Sequence, residues 1–219
     1  MIERIKSALR DCGISLWRIT DSTVESAELF FVKKQLDTRR IKDVRKFQAA
    51  VFRDVEADGQ TLRGFTTVTL LESMDDARLR EELNGAYYAA QFAANPYYDL
   101  PDPVQAPVKE KTGQLCQAPL AESAAQIAQA LFAADTREDA FLNSAEIFVT
   151  RSRTRILSSE GTDAAYTAAK AEGEFVVQCQ EPEDVEIHNT YSYDTLDTAA
   201  LTKKVAEALT FVRDRSRAQ

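Results

Sequence analysis

The stretch of sequence that decides the fold is residues 45–66, RKFQAAVFRDVEADGQTLRGFT. Its first half alternates apolar and polar residues, and the pattern predicts a strand with one apolar face: Phe47, Ala49, Val51 and Val55. Asp58 and Gly59 form a two-residue hairpin signal, and residues 62–71 are rich in the threonine and valine typical of a return strand. The stretch therefore predicts an antiparallel β-hairpin.

Helical periodicity flanks this hairpin and recurs in the second half of the chain. The first helix is predicted from Met1 to Cys12, ended by Gly13, and the second follows a Ser73/Asp76 capping box and runs to about Ala94. Further helices are predicted after Pro119 and from Asp197 to Arg215. The remaining segments read as strands: residues 14–21, 26–34, 37–45, 145–150, 154–159, 164–180 and 183–193. Strands segregated from helices predict an α+β fold with antiparallel β-sheets and flanking helices.

One proline-rich stretch divides the chain. Residues 96–117 contain Pro96, Pro101, Pro103 and Pro107, which favour an extended linker. We therefore predict two lobes, residues 1–95 and 118–219, with a similar helix–strands–helix plan. The lobes show no close sequence repeat.

Composition excludes several classes of protein. The 219 residues carry a formal net charge of −8, which argues against direct nucleic-acid binding. No run of about 18 apolar residues predicts a membrane span, and the charged start of the chain is unlike a signal peptide. We expect a cytoplasmic protein whose three cysteines, Cys12, Cys116 and Cys179, are reduced thiols.

The sequence contains no self-contained catalytic or metal motif. The single histidine, His188, has no HExxH, HExxxH or CxxC context, and no GxSxG or glycine-rich phosphate loop occurs. Cys116 is the one thiol with basic neighbours in sequence, Lys109 and Lys111. Acidic pairs such as Glu81 and Glu82 suit solvated helix faces, and sequence does not show whether any two carboxylates converge. We predict no catalytic residue, metal ligand or cofactor in this chain.

Two basic stretches contrast with the acidic background. One is spread over residues 33–53, and the other consists of Arg151, Arg153 and Arg155, which alternation places on one face of an extended segment. Such charges either protect a solvated strand edge or form a patch for an acidic partner or a peptide carboxylate. Tyr97 and Tyr98, which follow Pro96, are predicted to pin the linker to the first lobe.

The order of these features resembles the TldD/PmbA family. Residues 45–54, the Asp58-Gly59 turn, residues 63–66 and the helix after them look like its N-terminal domain. Residues 143–146 and 153–161 resemble the following domain, in which an Arg-x-x-x-x-Ser-x-x-Gly-like turn joins two strands. The resemblance covers most of the chain from Ile14 to Arg215.

The resemblance implies a peptidase function, but this sequence lacks the family's catalytic motif. Members of the family are roughly twice this length, and their catalytic members are zinc peptidases whose His-Glu-x-x-x-His helix and further cysteine ligand lie in the C-terminal half. They act on peptides or partly unfolded proteins as homodimers or as pairs of a catalytic and a metal-free subunit, and some are called modulators of DNA gyrase. No metal or catalytic residue is carried over, because this chain lacks that motif.

Three hypotheses follow. The first is a non-metal-binding, N-terminal half of such a peptidase or of its metal-free partner, inactive alone, which contributes to a peptide chamber and to dimer assembly. Its candidate peptide- or partner-binding residues are Arg151, Arg153, Arg155 and Ser158. The second is a stand-alone interaction module, and the third is a complete enzyme that uses dispersed carboxylates. Whether the chain is a fragment or complete stays open.

Overall fold

A computed structural model describes residues 1–110 and 113–218 of the chain. Its helices in these ranges are α1 (Ile2–Asp11), α2 (Asp76–Ala90), α3 (Gln114–Gln117), α4 (Leu120–Ala134) and α5 (Thr198–Ser216). Its strands are β1 (Trp17–Val32), β2 (Gln35–Ala57), β3 (Gln60–Leu70), β4 (Ala94–Pro96), β5 (Gln105–Glu110), β6 (Phe141–Ser158), β7 (Asp163–Cys179) and β8 (Val185–Tyr193). The fold is α+β, as predicted. No helix within the described residues is long and apolar enough to cross a membrane.

Hydrogen bonds between strands give the order β4-β3-β2-β1-β6-β7-β5, with β8 also paired to β7. The β2–β3, β3–β4 and β7–β8 pairs are antiparallel, and β5 runs parallel to β7. The region predicted as an extended linker therefore contributes two short strands, β4 and β5. Lys111 and Thr112, which also fall in that region, lie outside the described residues.

Contacts divide the chain into two compact units. The first unit comprises Met1–Thr23, Val44–Glu110 and Arg153–Thr167. The second comprises Val24–Asp43, Lys111–Ser152 and Ala168–Gln219, of which Lys111, Thr112 and Gln219 are not described. The predicted lobes were each continuous in sequence, whereas each unit combines three segments. The reason is strand length, since β1, β2, β6 and β7 each contribute residues to both units.

The first unit packs two helices on its part of the sheet. Ile5 and Leu9 of α1 and Leu79 and Leu83 of α2 are fully buried, together with sheet residues such as Phe47. Gly13 has a φ of 67°, so it ends α1 in the left-handed conformation predicted for it. The predicted capping box is wrong in detail. Asp75 caps α2, because its Oδ1 accepts the Arg78 backbone N–H at 2.7 Å.

The second unit has its own core. It is built from the apolar faces of α4 and α5 against β6 and β7. The fully buried members include Ile127, Leu131, Val205, Leu209 and Phe175. Each unit thus carries two longer helices beside its part of the sheet.

The hairpin predicted from residues 45–66 is present. β2 and β3 pair from Phe47 opposite Leu70 to Ala57 opposite Gln60, and both turn residues, Asp58 and Gly59, have positive φ angles of 52° and 73°. The separate strands predicted over residues 37–45 and 47–55 are one continuous strand, β2.

The return strand approaches α2 at a glycine. A Cβ atom on Gly64 would lie 1.8 Å from the carbonyl oxygen of Ala90 at the end of α2, closer than any non-bonded contact allows. Only glycine therefore permits this packing of helix against strand without displacement of the backbone.

We predict that Gly64→Ala lowers the free energy of unfolding by about 1–3 kcal/mol, because the new methyl group overpacks a backbone contact. Gly85→Ala is the matched control, since Gly85 lies within α2 with open space around its missing side chain. It should stabilise the chain by up to about 1 kcal/mol. Urea denaturation of both variants measures the difference, and equal stabilities would contradict the steric argument.

Candidate functional site

The four residues predicted to bind a peptide or partner lie along β6. Arg151 belongs to the second unit, and Arg153, Arg155 and Ser158 belong to the first. Each is therefore described within its own unit.

The Arg151 side chain binds backbone groups of its own unit. Its guanidinium Nη2 donates to the carbonyl oxygens of Leu115 at 3.2 Å and Ala118 at 2.6 Å, and Glu25 lies 3.8 Å from Nη1. Those two carbonyls belong to the end of α3, where backbone acceptors lack partners within the helix. Arg151 holds this helix end in place.

Arg155 forms a two-pronged ion pair with Asp163 on the next strand. Both of its hydrogen bonds to the carboxylate measure 2.8 Å. The hydrogen bonds from Arg155 hold the pKa of Asp163 below its ordinary value, against an opposing effect of burial. Arg153, in contrast, is exposed and forms no ion pair within the described residues.

Ser158 lines a small apolar cavity in the first unit. The cavity has a volume of about 190 Å³. Its apolar walls are Trp17, Phe52, Leu100, Pro101, Val104 and Ile156, and its polar rim is Arg18, Asp102, Ser158, Glu160 and Thr162. This volume is below the 300–1,000 Å³ usual for drug-sized ligands and cofactors, and it suits a single apolar side chain.

The turn after β6 fixes the polar rim. Ser158 Oγ accepts the Thr162 backbone N–H at 3.2 Å, and Thr162 Oγ1 accepts the Val104 N–H at the same distance. Trp17 is held on the opposite side of this turn, because its N–H donates to Ser159 Oγ at 3.1 Å and its carbonyl accepts the Ser159 N–H at 2.9 Å. Hydrogen bonds from backbone N–H groups thus connect this turn to Trp17 and Val104 of the cavity lining.

Arg63 anchors the segment that supplies Leu100, Pro101 and Val104 to the cavity lining. It is only 6% exposed, and its guanidinium binds the Asp54 carboxylate at 2.7 and 2.8 Å. The same group donates to the Tyr98 carbonyl at 2.9 Å and lies 4.5 Å from the centre of the Tyr97 ring. The prediction that Tyr97 and Tyr98 pin this segment is confirmed. The role of Arg63 was missed, because nothing in the local sequence marks it as buried.

The described residues offer no group of three or more histidine, cysteine, aspartate or glutamate side chains arranged to hold a metal ion. His188 Nε2 lies 3.0 Å from Glu174 on the neighbouring strand. The three cysteines form no disulfide, and burial raises the pKa of Cys12. The described residues therefore do not fit a zinc site.

This arrangement is the fold of a class of solved proteins that includes TldE and proposed modulators of DNA gyrase. TldE from Thermococcus kodakarensis matches with a TM-score of 0.64 and 13% identity over 94% of this chain and 47% of its own. A proposed modulator of a DNA gyrase from Thermotoga maritima matches with a TM-score of 0.66 and 14% identity over 95% of this chain and 47% of its own. One from Bacteroides thetaiotaomicron also gives 0.66, with 9% identity over 95% and 49%.

These comparisons confirm the predicted resemblance for the fold. The chain spans about half the length of the solved structures that it matches. No family model matches the sequence, and no curated protein is similar to it.

We predict that Arg151→Ala and Arg153→Ala differ in their effect on stability. Removal of Arg151 leaves two carbonyl oxygens without their donor and should lower the free energy of unfolding by about 1–3 kcal/mol. Removal of the exposed Arg153 should change it by no more than about 0.5 kcal/mol. Thermal or urea denaturation of the two variants checks this, and an unchanged Arg151→Ala protein would contradict the structural role.

We also predict that Asp54 contributes to the pH dependence of stability. Hydrogen bonds from Arg63 lower its pKa in the folded state, against an opposing effect of burial. Its stabilising contribution is therefore complete above the unfolded-state pKa of about 3.9 and is lost as the pH falls through the lower folded-state pKa. Between about pH 5 and pH 2, Asp54→Asn should lose less stability than the wild type.

The control for this measurement is Asp58→Asn. It removes a carboxylate from the hairpin turn, where asparagine also accepts a positive φ and where no ion pair is formed within the described residues. Urea denaturation at a series of pH values compares the three proteins. The same acid dependence in wild type and Asp54→Asn would show that Arg63 does not depend on this carboxylate.

Proposed function

We propose that this chain is the non-metal-binding, peptide-binding half of a TldD/PmbA-like assembly. It supplies part of the chamber that holds a peptide or partly unfolded protein, and it takes part in dimer formation with a second copy or a family partner. The observation that carries the proposal is the apolar cavity at Ser158, within a fold shared with TldE and proposed gyrase modulators. We place the assembly in the cytoplasm.

The cavity suggests how a peptide is held. An apolar side chain buried against Trp17, Phe52 and Ile156 gains about 1.5–3 kcal/mol from removal of its surface from water. The hydroxyls of Ser158 and Thr162 stand at the rim, where the amide groups of an extended peptide would pass. One shallow side-chain cavity selects for apolar character and little else, which suits a protein that handles unfolded substrates.

We assign peptide-bond cleavage to another part of the assembly. The described residues provide no ligand set for zinc. Cleavage by a zinc-dependent mechanism would therefore come from another part of the assembly, and we expect this chain by itself to bind without cleaving. The stand-alone interaction module predicts the same binding without any catalytic partner.

We predict that the chain binds a short unstructured peptide with one leucine at least about tenfold more tightly than the same peptide with serine in its place. Trp17 is the single tryptophan of the chain and lines the cavity, so its fluorescence reports binding directly. Val104→Asp places a charge on the wall and should weaken leucine-peptide binding about tenfold or more.

The matched control is Leu71→Asp. Leu71 is 51% exposed, as Val104 is 50% exposed, and it does not line the cavity. It should leave the affinity unchanged. Equal affinity for the two peptides, or equal weakening by the two variants, would overturn the assignment of the cavity as the binding site.

A further inference from the structure

The first half of β2 is a free strand edge. β3 begins to pair with β2 only at Phe47, and β1 is the other neighbour of β2. Residues 35–46 therefore have no strand partner on the β3 side within the described part of the chain. Each of these residues is exposed, and Ile41 near the centre is 66% exposed. We call residues 35–46 the free edge.

A free edge of this length needs an explanation. Unpaired backbone N–H and C=O groups form a template for another strand, and proteins usually shorten, cover or charge such an edge. The free edge does carry charges, but they are of both signs: Asp37, Arg39, Arg40, Lys42, Asp43, Arg45 and Lys46. Their order decides which strand can pair here.

Strand geometry limits how two copies of this edge can pair. In an antiparallel pair, two directly opposed residues either both direct their backbone groups at each other or both direct them away. Because this property alternates along each strand, residues of the two copies oppose each other only when their numbers are both odd or both even. Two allowed alignments therefore differ by a shift of one strand by an even number of residues.

One allowed alignment is electrostatically complementary. With Ile41 opposite Ile41 of the second copy, Arg39 lies opposite Asp43 and Asp37 lies opposite Arg45, which also binds Asp21 on β1. The two neighbouring alignments place either Asp37 opposite Asp43 or Arg39 opposite Arg45. Opposite charges directly across a strand pair stabilise it and like charges destabilise it, so the sequence favours the alignment centred on Ile41.

The other face of the free edge carries Arg40 opposite Lys42 in this alignment. Both cations already bind Glu28 on β1, which is only 3% exposed and lies 2.7 Å from the Lys42 ammonium. Burial raises the pKa of Glu28, but hydrogen bonds from Lys42, Arg40 and Ser26 lower it by more. The pKa therefore lies below its ordinary value, and the carboxylate stays ionised. This buried negative charge offsets the repulsion between Arg40 and Lys42.

We propose that a second copy of this chain pairs antiparallel along residues 35–46, about a two-fold axis at Ile41. The inference rests on the dimer assembly in the proposed function and names the surface that forms it. Backbone hydrogen bonds join the two edges, the Arg39–Asp43 pairs fix the register, and the two Ile41 side chains meet at the axis.

Charge reversal tests the register in the full chain. Arg39→Asp and Asp43→Arg each place two pairs of like charges across the interface and should raise the dimer dissociation constant about tenfold. The double variant Arg39→Asp/Asp43→Arg restores both pairs and should recover wild-type association. Arg10→Asp is the control, since Arg10 is an exposed arginine on α1, outside the free edge, and forms no ion pair in the described residues. Sedimentation velocity over a range of concentrations measures the constants.

Cysteine cross-linking tests the two-fold axis directly. Ile41→Cys places two thiols opposite each other and should give a covalent dimer with a short thiol cross-linker. Leu36→Cys is the control, because its counterpart lies ten residues along the strand, about 33 Å away. The wild type corrects for reaction at Cys12, Cys116 and Cys179.

The outcomes separate the two proposals. Recovery by the double variant together with selective cross-linking through Ile41→Cys supports the edge. A dimer unaffected by the charge reversals overturns the edge and leaves dimer assembly to another surface. A monomer at all concentrations overturns both the edge and self-assembly, while leucine-peptide binding still tests the cavity separately.

Discussion

The contact between Arg63 and Asp54 connects the sheet of the first unit to its cavity. Both residues lie on the central hairpin, on β3 and β2, and the pair directs the remaining Arg63 donor at the carbonyl of Tyr98. A buried guanidinium needs its carboxylate, because an unpaired charge in this position would be strongly unfavourable. The segment that contains Leu100, Pro101 and Val104 therefore begins directly after a residue, Tyr98, that Arg63 holds in place. Without this contact the segment that supplies Leu100, Pro101 and Val104 to the cavity lining would lose its anchor.

The same principle explains why the basic stretches are not a free anion-binding patch. Arg40 and Lys42 bind Glu28, Arg45 binds Asp21, and Arg155 binds Asp163. The two residues of each ion pair are separated in the sequence and lie on neighbouring strands, so only strand pairing brings them together. Several cations of the two basic stretches are therefore neutralised by ion pairs within the sheet. Arg39 and Arg153 are different, since both are exposed and form no ion pair in the described residues.

The parts of the fold that sequence predicted are those set by local pattern. The β2–β3 hairpin follows from alternation and from Asp58 and Gly59, and α1 follows from its apolar face and Gly13. The strand predicted over residues 37–45 is also present, but its continuity with residues 47–55 was missed, because both faces of the first half of β2 are exposed and alternation carries no signal there. The capping of α2 by Asp75 instead of Ser73 is a choice between adjacent polar residues that only the backbone geometry decides.

The candidate site was predicted less well, for a related reason. Alternation correctly aligned Arg151, Arg153 and Arg155 along one strand, but their roles depend on what each meets. Arg151 meets the end of α3, and the cavity beside Ser158 draws its walls from four separate segments of the chain. Such convergence is a property of tertiary structure. A single sequence identifies the strand and its turn, but not the residues that surround them.

An exposed strand edge carries a general risk of indiscriminate association, and the charge order of β2 limits it. A uniformly basic edge would repel every copy of itself, and an apolar edge would pair in several registers. On the face that carries Ile41, the allowed alignments next to the one centred on Ile41 each oppose like charges, while that alignment opposes unlike ones. The same side chains therefore disfavour slipped pairings and favour one. A chain with a net charge of −8 also repels its copies at long range, so close pairing has to come from such local complementarity.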